Sequence, residues 1–152
     1  MSLLHQSITN TILKVYYEVY NELGYGFLEK VYQNAMYLEL KDRGLKVESQ
    51  KQIKVYFKKQ LVGEYYSDLL VEDKVIVELK ATELLMNSHI AQTINYLKAT
   101  PIEIGMLLNF LMKKVNSLLK IYLKKLKILL MIHHLFLLLK KKNSDKFMRL
   151  QI

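Results

Sequence analysis

The chain has 152 residues and no cysteine. That is long enough for one domain with a sizeable core, and it excludes disulfide frameworks, thiolate zinc sites and a thiol nucleophile. The net charge of +9 is unevenly placed: residues 1–110 carry 12 Lys or Arg against 13 Asp or Glu, a net of −1, whereas residues 111–152 carry 11 against the single acid Asp145.

The basicity therefore belongs to the C-terminal stretch and is no argument that the preceding part binds nucleic acid. Residues 1–10 lack the basic-then-apolar pattern of a secretory leader, and no apolar run reaches the roughly 18 residues of a membrane-spanning helix. A cytoplasmic protein without a membrane span is expected.

Residues 3–23 read as an amphipathic helix, with Leu4, Ile8, Ile12, Val15, Val19 and Leu23 at three- and four-residue spacings. Gly24 and Gly26 break it. A second helix is predicted over 27–43, with Leu28, Val31, Ala35, Leu38 and Tyr32 as its apolar stripe, ended by Gly44. The period then changes to two. Strands are predicted over 47–57, 61–71 (with Gly63 as a bulge) and 75–80, joined by turns at 58–60 and 72–74. A helix over 88–99, N-capped by Ser88, leads through Pro101 to a fourth strand over 102–110. This order implies an α/β fold: a central mixed four-stranded sheet flanked by helices, two of them N-terminal.

After Phe110 the composition shifts. Lys, Leu and Ile make up 26 of the last 42 residues, with no glycine or proline. Two domains of unlike character are expected, 1–110 and a basic tail 111–152. One reading of the tail is a basic amphipathic helix that binds a membrane surface or an acidic partner. The other is translation of a shifted frame near Phe110, since AT-rich DNA read out of frame yields Lys, Leu and Ile. That would leave an inactive product.

The chemistry concentrates in the third strand, Val75-Ile76-Val77-Glu78-Leu79-Lys80. Alternation sends Val75, Val77 and Leu79 to one face and Ile76, Glu78 and Lys80 to the other. A short hairpin sets Asp68, on the preceding strand, beside Glu78 and Lys80. Two carboxylates at one point repel unless a cation lies between them, and Mg2+ suits such hard oxygen ligands. The bland alternative is a solvated strand edge with a weak ion pair. Glu29 starts the second helix, with Tyr32 one turn on. His89, Gln92 and Tyr96 form a stripe on the later helix that is either an ordinary polar face or, beside an acidic metal site, a place for Gln92 to hold a substrate phosphate or a water. Lys51, Lys54, Lys58 and Lys59 form a local basic patch.

Gly26, Glu29 and Tyr32 match the G-x-x-E-x-x-Y signature of the GxxExxY proteins, bacterial and archaeal members of the PD-(D/E)XK nuclease superfamily. The likeness continues through residues 43–48, 63–71, 75–81, 89–100 and 105–110. It implies a restriction-endonuclease-like core and hydrolysis of DNA or RNA phosphodiesters with Mg2+ or Mn2+. Asp68, Glu78, the Leu79 backbone carbonyl and Glu29 would be metal ligands. Lys80 would be catalytic, with Gln92 acting beside it, and Tyr32, His89 and Tyr96 would support the site. A homodimer is a further expectation. The runner-up is a non-catalytic nucleic-acid-binding or interaction module that keeps the fold.

Overall fold

The computed structural model describes residues 4–111, 119–123 and 129–130. Helices α1 (Gln6–Leu23) and α2 (Glu29–Asp42) precede strands β1 (Val47–Phe57), β2 (Gln60–Val71) and β3 (Val75–Lys80). Helix α3 (Asn87–Ala99), strand β4 (Ile104–Asn109) and strands β5 (Leu119–Leu123) and β6 (Leu129–Leu130) follow. The sheet order is β1-β2-β3-β4-β5-β6; the β3–β4 pair is parallel, made by the α3 crossover, and the others are antiparallel. The mixed core β1–β4 with helices on both faces is the restriction-endonuclease-like α/β arrangement.

Strand alternation decides what each face buries. Leu69, Val71, Val75, Val77, Leu79, Met106 and Leu108 pack against α1 and α2, together with Ile12, Val15, Tyr16, Tyr32, Met36 and Leu40. On the opposite face Ile53, Leu70, Ile76 and Leu107 pack under Tyr96 and Leu97 of α3. Gly105 lets α3 approach: a Cβ there would stand 2.8 Å from Thr93 Cγ2 and 3.2 Å from Leu97 Cδ1.

Helix α2 ends at Gly44, whose φ of +80° is open to glycine without steric cost. The Gly44 N–H bonds the Lys41 carbonyl and the Leu45 N–H reaches back to that of Leu40, a Schellman closure. Arg43, at the same end, pairs with Glu39 and with Glu18, tying α2 to α1.

Three expectations are corrected. The α2 stripe is right only in part: Tyr32 is buried and Ala35 packs on the core, but Leu28, Val31 and Leu38 are exposed (80% and 61% for Leu28 and Leu38), and Met36 and Leu40 are buried instead. Both stripes fit helical spacing, and Tyr32, Met36 and Leu40 take the core. Ser88 is not the N-cap of α3; Met86 is, and its N–H is accepted by His89 Nδ1 at 3.2 Å. The helical tail fails at residues 119–123, which pair antiparallel with β4, and at 129–130, which pair with β5. Without β5, the fully buried β4 would be a sheet edge with unpaired backbone groups, and the alternation Leu119, Ile121, Leu123 suits a strand. The remainder of the tail lies outside the described residues. Gly63 does border an irregularity: the register shifts between Val55/Gly63 and Tyr56/Leu61, leaving Val62 without a partner.

Candidate active site

The β2–β3 ladder pairs Val71 with Val75, Leu70 with Ile76 and Leu69 with Val77, then stops. One step further would set Asp68 opposite Glu78. Instead the Asp68 side chain enters the gap, and its Oδ2 accepts the Leu79 backbone N–H at 2.8 Å. The sheet opens where the two acids meet. Both are buried, Glu78 with 2% of its surface exposed.

Lys80 closes the constellation. Its Nζ lies 2.8 Å from Glu78 Oε1 and 3.8 Å from Glu29 Oε1 at the start of α2. The backbone around it is held by β4: Phe110 N–H donates to the Lys80 carbonyl at 2.7 Å. Asn109 is buried and clamps the segment after β3, accepting from Thr82 N at 3.1 Å and donating to the Thr82 carbonyl at 2.7 Å. Thus Asp68, Glu78, Lys80 and Glu29 are brought together from β2, β3 and α2.

The electrostatics follow from this crowding. Burial, and next the Asp68 carboxylate, push Glu78 up to about 7, against the pull of Lys80. Asp68 is also raised, mainly by burial, with the Leu79 N–H and Lys80 opposing. Glu29 is raised by burial too, opposed by Lys80. Burial works against the Lys80 ammonium, but Glu78, Glu29 and Asp68 outweigh it, so Lys80 lies above the ordinary lysine value and stays charged.

The other residues singled out in the sequence sit around this centre. Tyr32 is fully buried and stacks on Phe110 at 4.2 Å; its hydroxyl donates to the Gly24 carbonyl and accepts from Phe27 N–H, so it fixes the loop ahead of Glu29. Gln92 donates to the Tyr96 hydroxyl at 2.7 Å, and Tyr96 packs on Leu70 and Ile76, the residues two positions from Asp68 and Glu78. His89 serves the α3 N-terminus, and its pKa is lowered by partial burial and by Lys80. Leu79 contributes a core side chain, and its N–H is committed to Asp68.

Three contributors escaped the sequence reading. Gln33 donates to the Asp68 carbonyl at 2.9 Å and to Ser49 Oγ at 2.8 Å. It lies one turn from Glu29 on the same helix face, and that spacing was the available signal. Gln50 reaches Asp68 Oδ1 at 3.4 Å from a left-handed backbone, φ +54°, for which its residue type carries no signal. Asn109 is the polar end of an apolar strand, a pattern that points to a buried partner.

A divalent ion fits part of this arrangement. Among the described residues no group of three or more His, Cys, Asp or Glu side chains is gathered to hold a metal. The donor set is the Asp68–Glu78 pair, and Glu78 Oε2 is a buried acceptor without a hydrogen-bond partner. Native proteins rarely leave such an atom unsatisfied. Mg2+ is commonly held by one or two carboxylates with waters completing the shell.

The mixed sheet flanked by helices is the α/β fold of the restriction-endonuclease-like class. A family profile, the PD-(D/E)XK nuclease superfamily, matches residues 6–121, and the chain belongs to that superfamily. The match runs past Phe110 into β5. No curated protein and no solved structure matches the chain. Members of the superfamily are typically nucleases that use Mg2+ or Mn2+.

Proposed function

We propose that the chain hydrolyses nucleic-acid phosphodiesters with the help of Mg2+ or Mn2+, and that within the superfamily it stands with the GxxExxY proteins on Gly26, Glu29 and Tyr32. The observation that carries this reading is the unpartnered Glu78 Oε2, buried beside Asp68 with the Lys80 ammonium adjoining. Asp68 and Glu78 would hold the ion, with the Leu79 carbonyl as third donor. A bound ion lowers the pKa of water and polarises a phosphodiester.

The chain's own groups supply the rest. Lys80, kept cationic by its acidic neighbours, orients the attacking water and stabilises the charge that develops on the phosphate. Glu29, 3.8 Å from the Lys80 ammonium on the α2 side, steers it and would complete the ion's shell. Gln33 and the Leu79 N–H fix Asp68, one through its carbonyl and the other through its carboxylate. Gln92 and Tyr96 form the floor beside the site where a substrate phosphate would lie, and His89 stands nearby on the same helix.

The test is cleavage of single- and double-stranded DNA and RNA by the full chain, with Mg2+ or Mn2+ and with EDTA. Glu78→Ala and Lys80→Ala are each expected to lower the rate by about 100-fold or more. Unchanged cleavage in both variants would place the activity elsewhere and reject the assignment.

A further inference from the structure

The β1–β2 ribbon is long for the sheet that supports it. Its outer half, from Ile53/Tyr65 to Phe57/Gln60, pairs only with itself, because β3 ends its pairing at Leu69. This half exposes rings that a folding core would have claimed: Tyr56, Phe57 and Tyr65 are each more than half exposed. Between the ribbon and α3 lies a groove of about 750 Å3 lined by, among others, Lys54, Tyr56, Tyr65, Gln92, Tyr96 and Lys98. The Tyr65 ring stands 6.0 Å from the Tyr96 ring at its floor.

Charge on the two walls is one-sided. The groove is lined by two lysines, Lys54 and Lys98, and by no acid, and residues 49–63 and 87–99 as a whole hold five lysines and no acid. Lys51 is paired with Glu48, and Glu64 sits across the ladder from Lys54; neither acid lines the groove. The rest of residues 1–110 is therefore distinctly acidic, so the walls are the place where this part of the chain would attract a polyanion. Tyr96 links the groove to the proposed active site: it lines the groove and lies close enough to Glu78, Lys80 and Asp68 to feel their charges. Tyr65 and Asp68 lie on the same strand, three residues or roughly 10 Å apart.

Resting on the nuclease reading, we infer that this groove takes single-stranded nucleic acid, its bases stacking on Tyr65 and Tyr56 and its phosphates meeting Lys54 and Lys98. Exposed rings favour an unstacked strand, because bases inside a duplex already stack on one another and offer no free face. Lysines alone would serve either form. The combination of rings and lysines, beside a site that cuts the backbone, selects the single strand.

The experiment measures fluorescence anisotropy of fluorescein-labelled oligo-dT, oligo-rU and a hairpin duplex with the full chain in EDTA, where no cleavage occurs. Both single strands are expected to bind at least tenfold tighter than the duplex, and the dT-to-rU ratio reports whether the sugar is read. Tyr65→Ala should weaken single-strand binding about tenfold while Tyr65→Phe keeps it. Lys98→Gln, a change at an exposed position, should reduce the salt dependence by somewhat less than one unit of slope. Equal or tighter duplex binding, or no effect of both Tyr65→Ala and Lys98→Gln, overturns the inference. A parallel Mg2+ cleavage assay separates the two claims: binding with these preferences but no cleavage removes the nuclease reading alone, and cleavage confined to duplex removes the groove alone.

Discussion

Glu78 makes stability depend on pH, and, if it holds the ion as proposed, links metal binding to the same proton. Its carboxyl is raised from the ordinary 4.5 to about 7. A carboxyl raised in the folded state contributes stability that is fully present below the unfolded value and is lost as pH rises through the folded one. The metal-free protein should therefore lose stability between pH 4.5 and 7. At about 1.4 kcal/mol per unit, the loss is at most about 3 kcal/mol. For a chain of this length that corresponds to roughly 6–12 °C in Tm. Asp68 and Glu29 are raised too and act in the same direction. His89 is lowered, so its smaller contribution is present above its ordinary value and lost as pH falls, opposing the trend. Lys80 titrates outside the window. Excess Mg2+ should restore the loss at pH 8, where Glu78 is ionised, and do little at pH 5, where a proton holds the site. The assay is thermal unfolding from pH 5 to 8, with and without Mg2+, for the native chain and Glu78→Gln. A variant that keeps the native pH slope, or a Mg2+ shift equal at pH 5 and pH 8, would refute the assignment of Glu78 as the shared proton and metal acceptor.

Gly105→Ala should cost about 1–3 kcal/mol, because the added methyl meets Thr93 at 2.8 Å and α3 must lift from β4; urea unfolding measures it. Asn109→Ala leaves the Thr82 N–H and carbonyl without their partner. It should destabilise by about 1–3 kcal/mol and slow cleavage more than it weakens substrate binding, since Lys80 is anchored beside that clamp. Tyr32→Phe removes the bonds to Gly24 and Phe27, with an expected loss of about 1–2 kcal/mol by calorimetry and an unchanged core. Lys58 and Lys59 both adopt positive φ, +47° and +68°, in a two-residue hairpin. Replacing them by Asn-Gly should raise the unfolding midpoint, because that pair suits a type I′ turn.

The sheet was legible because period-two alternation is imposed by burial on both faces. Val75, Val77 and Leu79 went to one helix layer and Ile76 to the other, which put Glu78 and Lys80 on a common face in advance. The α2 face was not legible: two apolar stripes at helical spacing compete there, and only packing volume separates them. The Lys58-Lys59 and Glu72-Asp73 turns lie in left-handed backbone without the Gly or Asn that usually announces it, so strand period located them and residue type did not. Gln33 and Gln50 were hidden for a related reason. An amide that serves a carboxylate from another element has no local pattern, and the pairing exists only once α2 and β1 flank β2.

A near-neutral domain is at first sight a poor candidate for nucleic-acid chemistry. The structure resolves this by segregation. Three acids, Asp68, Glu78 and Glu29, crowd at the opening of the β2–β3 ladder, and there Glu78 Oε2 has no hydrogen-bond partner within the protein. Lys58 and Lys59 stand at the ribbon tip and Lys98 on α3. The net charge of residues 1–110 hides this local arrangement; on the proposed reading a polyanion would be attracted along the groove walls, repelled at the bare acid pair, and accepted there once a divalent ion had cancelled the repulsion. On that account metal should matter more for productive placement of the scissile phosphate than for overall affinity. Mg2+ should therefore change the cleavage rate greatly and the single-strand dissociation constant little, an asymmetry that a uniformly basic surface would not produce.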